Sequence, residues 1–183
     1  MNYANIKFYD IANGPGVRTS LFVSGCRHHC KECFNREAWA FDYGDEYTKE
    51  VEDKIILSLR PDYINGITLL GGEPMERENQ ETVLTLIKRV RSECENKSIW
   101  IFSGFTYEEL IGKKESRATS MLSKEILKYA DVLVDGPFII QEKDISLQFR
   151  GSRNQRLIDL KKTQEEGSIV LWKDENRQNK RMK

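Results

Sequence analysis

The chain is short of histidine, of net charge and of long apolar runs, and each shortage excludes something. It has two histidines in 183 residues, His28 and His29. A zinc knuckle completed by two histidines would have to use both. Basic and acidic side chains balance at 29 each, so the basic excess of a general nucleic-acid binder is missing. No apolar run is long enough to span a bilayer. The segment Met1–Lys7 lacks the apolar core of a secretory signal, so a cytoplasmic location is expected. No repeat or low-complexity tract is evident. The four cysteines do not resemble a disulfide framework: three are clustered and Cys94 stands alone. Cys94 falls in a predicted helix, Asn79–Glu95, where a small packing residue is the simplest reading. One domain is expected over 1–172, with a polar, disordered tail over 173–183.

What is present alternates between apolar strands and amphipathic helices. Arg18–Ser24, Ile67–Leu70, Ser98–Phe102 and Asp131–Val134 read as strands, with Ile169–Trp172 as a final one. Thr48–Leu59, Asn79–Glu95 and Met121–Tyr129 read as helices. Thr106 and Glu109 have capping-box spacing and predict a further short one. This alternation implies an α/β fold with a largely parallel sheet, whose ligands sit at the carboxyl ends of the strands. The cysteine loop, Gly71-Gly72 and Ser103-Gly104 all fall at such ends, so three distant segments converge on one edge.

The cysteine loop is Gly25-Cys-Arg-His-His-Cys-Lys-Glu-Cys-Phe-Asn35, a C-x3-C-x2-C spacing with no fourth cysteine nearby. Four-iron clusters take four thiolates as a rule; three leave one iron open to a small molecule. The alternative is a zinc site using Cys26, Cys30 and Cys33 with His28 or His29, although only one knuckle is present. The second segment, Thr68-Leu-Leu-Gly-Gly-Glu-Pro-Met75, ends a strand on two glycines. These let backbone approach a ligand, and Glu73 can accept hydrogen bonds from an ammonium group. An ordinary strand-to-helix turn is the plainer reading of this segment taken alone.

Together these residues resemble the radical S-adenosylmethionine superfamily. The resemblance implies a [4Fe–4S] cluster held by Cys26, Cys30 and Cys33, with S-adenosylmethionine chelating the open iron. It implies contacts to that molecule's amino group from Gly71, Gly72, Glu73 and Pro74. Glu32, before the last cysteine, takes the position near the adenine. Many members have an apolar residue there, which leaves Glu32 a backbone contact and makes Phe34 an alternative neighbour beside Cys33. Ser103 with Gly104 follows a strand and either meets the ribose or carboxylate or only starts a helix. Asp135 either binds a cofactor hydroxyl or is structural. Arg150, Arg153 and Arg156 form either a solvated face or a docking surface.

The stretch Asn13-Gly-Pro-Gly-Val-Arg-Thr-Ser-Leu-Phe-Val-Ser-Gly-Cys26 narrows the resemblance to the glycyl-radical-enzyme activases. Asn13 and Cys33-Phe-Asn-Arg-Glu-Ala-Trp39 are more like the activating proteins of anaerobic ribonucleotide reductase than the pyruvate formate-lyase activases. Further matches are Ile101–Leu110, Asp131–Phe138 and Phe149–Arg156, so the resemblance covers roughly Asn13 to Asp159. It implies a partial, open (β/α) TIM-type barrel. It also implies an oxidoreductase that cleaves S-adenosylmethionine reductively and abstracts hydrogen from a glycine of the reductase. The expected partners are that reductase and an electron donor such as flavodoxin, with a homodimer also expected; no nucleic acid and no membrane are. A formate-lyase activase, a radical enzyme acting on a small molecule and a non-catalytic zinc module are the competing readings.

Overall fold

A computed structural model describes residues 1–173. The tail expected to be disordered lies outside the described residues, apart from Lys173. The strands are β1 (Asn2–Asp10), β2 (Val17–Val23), β3 (Asp45–Glu46), β4 (Ile64–Gly71), β5 (Ser98–Phe102), β6 (Val132–Asp135) and β7 (Arg156–Asp159). The helices are α1 (Lys49–Leu59), α2 (Arg77–Glu93), α3 (Tyr107–Ile111), α4 (Met121–Tyr129) and α5 (Leu160–Glu166). One sheet holds all seven strands in the order β3-β1-β2-β4-β5-β6-β7. The four middle strands, β2, β4, β5 and β6, run parallel. The flanking β1, β3 and β7 pair antiparallel. The α/β class expected from the sequence therefore holds, with a mixed sheet. Among the described residues no helix is long and apolar enough to cross a membrane.

Local chemistry accounts for most helix ends. Thr48 caps α1 by accepting from the Val51 N–H. Thr106 and Glu109 form the predicted capping box, and Gly112, at φ 81°, ends α3 in the left-handed conformation that glycine favours. Ser120 caps α4. The segment Ile169–Trp172, expected as a strand, forms only a bridge between Leu171 and Ile158. Asp159 N–H donates to Val170 O and Trp172 N–H to Leu157 O, so this segment follows β7 without becoming regular.

The period-two alternation of strands divides the sheet into unlike faces. Leu21, Val23, Ile67, Leu69, Ile99, Ile101 and Leu133 are buried in one cluster with Ile55, Ile56 and Leu59 of α1, Leu86, Ile87 and Val90 of α2, and Ile126 of α4. On the other face a smaller cluster of Trp100, Val132, Val134 and Leu157, with Phe149 and Trp172 against it, contains no helical residue. Among the described residues the helices thus cover one face only.

The other face also buries a cation. Arg18 has no exposed surface. Its Nε donates to Thr68 Oγ1 (2.7 Å), Nη1 to Ser98 Oγ (2.8 Å), and Nη2 to Ile67 O (2.7 Å) and Ser98 O (2.9 Å). The guanidinium lies over the Trp100 ring, 5.5 Å from its centroid. A buried charge is tolerable when its donors are satisfied. Burial pulls this guanidinium down to about 10, which leaves it protonated at neutral pH. It ties β2, β4 and β5 together beneath the site.

Candidate functional site

The carboxyl ends of the parallel strands open onto a cavity of about 540 Å³. Cys26 follows β2, Gly71-Gly72-Glu73 end β4, Ser103-Gly104 follow β5 and Gly136 follows β6; all line it. Cys30, Glu32, Cys33 and Phe34 complete the wall from the cysteine loop. The convergence inferred from the sequence is present. Of the expected site residues only Pro74 stands off the wall, buried beneath it.

The cysteine loop is pinned at its base. Gly25 N–H donates to Ala38 O (2.8 Å) and Cys26 N–H to Trp39 O (3.0 Å). The buried Glu76 carboxylate accepts from the Arg27 N–H (3.0 Å), the Arg27 guanidinium (3.1 Å) and the Arg117 guanidinium (2.9 Å), tying the loop to the start of α2. His29 and Glu32, the residues before Cys30 and Cys33, both adopt left-handed backbone, at φ 48° and 59°. Such a conformation costs a non-glycine residue about 1–2 kcal/mol, and strain of this kind clusters at ligand sites.

One loop sulfur already accepts a backbone hydrogen bond: Asn35 N–H donates to Cys33 Sγ at 3.4 Å. Sulfur in its thiolate form is much the better acceptor, and hydrogen bonds to sulfur are one of the protein's levers on an iron–sulfur cluster. Burial, with the Glu73 and Glu76 charges nearby, pushes the Cys26 thiol up to about 12. Burial and the neighbouring Cys33 push Cys30 up as well. These are poor free nucleophiles; a bound cation is what deprotonates such thiols. Three thiols on one cavity wall, with no fourth cysteine beside them, are the donor set that a four-iron cluster with one open corner would take.

Glu73 is more committed than its sequence position suggests. Its Oε1 accepts from Met75 N–H and Ser103 Oγ–H (both 2.9 Å), and its Oε2 from Gly104 N–H (2.7 Å). His28 Nε2 lies 3.1 Å from Oε2 without hydrogen-bond geometry. Three of roughly four lone-pair positions are thus spent joining the ends of β4 and β5. The Ser103 hydroxyl also accepts from Phe105 N–H (3.1 Å), so it organises the turn.

The glycines show the same economy. A Cβ on Gly72 would stand 2.8 Å from both Gly25 O and Ala38 O. Gly72 is small because the cysteine loop's own backbone crosses it. Gly71, at φ 107°, lies against the backbone of Phe22 and Val23.

Asp135 is structural. Its carboxylate accepts from Tyr107 N–H (2.8 Å) and pairs with Arg156, which also binds Glu108 (2.8 Å). Arg153 pairs with Asp144 at 3.0 Å. His29 stacks on Trp39 at 4.4 Å, and His28 meets the edge of Phe105 at 4.3 Å. Cys94 is buried, its Sγ 3.8 Å from Ile56 O, far along α2 from the loop. Sequence reasoning missed Trp39 and Phe138 as wall residues. Trp39 enters through a 3-10 turn that follows the loop, and Phe138 through irregular chain after β6; neither has a periodic signal.

A family model described as "4Fe-4S single cluster domain" matches residues 12–158. The chain is 45% identical over 157 residues to an anaerobic ribonucleoside-triphosphate reductase-activating protein of Vibrio cholerae, covering 85% of this chain and 96% of that one. A protein of the same name from Escherichia coli K12 is 42% identical over the same shares. One from Enterobacteria phage T4 is 36% identical over 159 residues, 86% of this chain and 93% of its own.

Proposed function

This chain belongs to the family of anaerobic ribonucleoside-triphosphate reductase-activating proteins, and from that premise we propose that it installs the glycyl radical of such a reductase. It is an oxidoreductase that uses a [4Fe–4S] cluster and S-adenosylmethionine. The observation that carries the assignment of ligands is the convergence of Cys26, Cys30 and Cys33 on the wall of the cavity at the carboxyl ends of the parallel strands. These three residues hold the cluster, and the absent fourth thiol leaves one corner for S-adenosylmethionine. When bound, the two together supply one-electron cleavage of the sulfonium and a carbon-centred radical that takes hydrogen from a glycine Cα.

The chain's own residues bind, orient and shield. Gly71, Gly72 and Glu73 present backbone along one wall, with the buried Pro74 supporting the turn and Ser103 holding Glu73 in place. Glu32 lends its backbone, since its side chain is exposed, and Cys33 and Phe34 complete the adenine side. Phe34 and Ile145, 88% and 94% exposed, stand at the mouth. The reductase segment enters there and covers them. No side-chain base is required. Helices on one face only support an open, partial barrel of the TIM type, which leaves the cavity accessible to a protein loop. The single domain spans 1–172, works in the cytoplasm, takes its electron from a flavodoxin-like protein and forms a homodimer or an assembly with the reductase.

The test is made without oxygen. The reconstituted protein, the reductase, S-adenosylmethionine and dithionite are mixed and the electron paramagnetic resonance spectrum is recorded. A glycyl radical doublet on the reductase is expected. In a parallel mixture with a formate-lyase replacing the reductase no doublet is expected; a doublet there and none on the reductase would reassign the partner, and stoichiometric zinc with no radical would remove the mechanism.

A further inference from the structure

The three arginines of the Phe149–Arg156 segment have unlike fates. Arg153 and Arg156 are consumed by Asp144 and by Asp135 with Glu108. Arg150 is not. It lines the same cavity as the three cysteines, its Nε is buried, and among the described residues its side chain makes no hydrogen bond or ion pair. A buried donor without an acceptor is rare in a folded protein and calls for an explanation.

The backbone aims this residue. Phe149, immediately before it, holds left-handed backbone at φ 54°, an uncommon state for an aromatic residue. Its ring is fixed edge-on against Trp100 at 5.4 Å and near Trp172 at 6.2 Å. On the other side Gly151 packs under Phe138, whose ring lies 3.0 Å from where a Cβ would stand. Phe138 lines the same cavity as Cys30. A strained turn thus sets an unpaired guanidinium on the wall of the cavity that the three cysteines share.

We propose that Arg150 binds the carboxylate of the methionyl part of S-adenosylmethionine. This rests on the function proposed above. A guanidinium left without a counter-ion selects an anion, and its planar fork matches a carboxylate through two parallel hydrogen bonds. The carboxylate is the one anionic group of that molecule; its adenine, ribose, ammonium and sulfonium carry no negative charge. Arg150 is therefore a binding residue that orients the methionyl end beside the cluster.

The test compares two ligands on the cluster-loaded protein by anaerobic equilibrium dialysis, with no reductant present. The ligands are S-adenosylmethionine and its decarboxylated analogue. Arg150→Met should weaken binding of S-adenosylmethionine about ten- to hundred-fold. It should leave binding of the decarboxylated analogue within about two-fold of wild type, because that ligand has nothing for Arg150 to hold. Arg150→Lys, which keeps the charge and loses the fork, should fall between. Iron content and circular dichroism should match wild type in both variants. Equal losses for the two ligands would overturn the proposal, since a structural role predicts that result. So would unchanged S-adenosylmethionine binding with weakened binding to the reductase, which would assign Arg150 to an acidic group of the partner. Wild-type protein that takes up the cluster but binds neither ligand would overturn the functional reading itself, and this inference with it.

Discussion

At the scale of single residues, the polar groups sort by whether the chain already satisfies them. Arg18 spends its guanidinium on Thr68, Ser98 and the Ile67 carbonyl. Arg18→Met should strand those buried acceptors and lower stability by about 3 kcal/mol, read as a reduced urea midpoint with an unchanged slope; an unchanged midpoint would contradict this account. Glu76 is buried under Arg117 and Arg27. Burial pushes its carboxyl up, but hydrogen bonds from Arg117 and from Arg27 outweigh that and hold it below the ordinary 4.5. A carboxyl lowered on folding contributes stability that is complete above its unfolded value and is lost as pH falls through its native one. The cluster-free protein should therefore lose stability as pH drops below about 4.5. Glu76→Gln should flatten that acid limb, measured by urea midpoints across pH. Cys94→Ser is the control: it should leave iron content unchanged, since that thiol touches Ile56 O and not the cavity.

At the scale of elements, strand ends are locked to one another through the cysteine loop. Gly72 N–H donates to Val23 O (2.7 Å) and Glu73 N–H to Gly25 O (2.9 Å). A valine at 72 would drive its Cβ into the Gly25 and Ala38 carbonyls, so Gly72→Val should reduce iron uptake as well as ligand binding. Iron and sulfide analysis checks this; full cluster content with only ligand binding lost would mean that Gly72 serves the ligand alone. The parallel strands and the helices α1, α2 and α4 were legible in the sequence because their apolar periodicity is strong. β1 is not evident from the sequence, although Ile6 and Phe8 alternate with the exposed Asn5, Lys7 and Tyr9; a strand paired on one side over most of its length, with only Asn2 and Tyr3 meeting β3, carries a weak pattern. β7 has four residues, and α5 buries only Leu160 and Thr163, too little for periodicity to register. The cysteines and the Gly-Gly-Glu-Pro run were legible as motifs. What Glu73 and Asp135 do was not, because their partners, Gly104 and Arg156, lie 31 and 21 residues away.

At the scale of the whole molecule, the main core is built from β2, β4, β5, β6 and the helices, and includes none of the three loop cysteines. The fold should therefore survive without the cluster. Removing iron should preserve the far-ultraviolet circular dichroism and lower the melting temperature, because a group that binds only the folded state stabilises it. Loss of cooperative unfolding on iron removal would place the cluster in the fold itself. The central claim is that three thiols hold a cluster able to cleave S-adenosylmethionine. The most direct measurement is 5′-deoxyadenosine formation, with iron and sulfide content, in the reduced wild-type protein and in Cys26→Ala, Cys30→Ala and Cys33→Ala. The account predicts a [4Fe–4S] cluster and product in the wild type and no product in any variant. Product from any one of the three variants, or zinc in place of iron in the wild type, would contradict it.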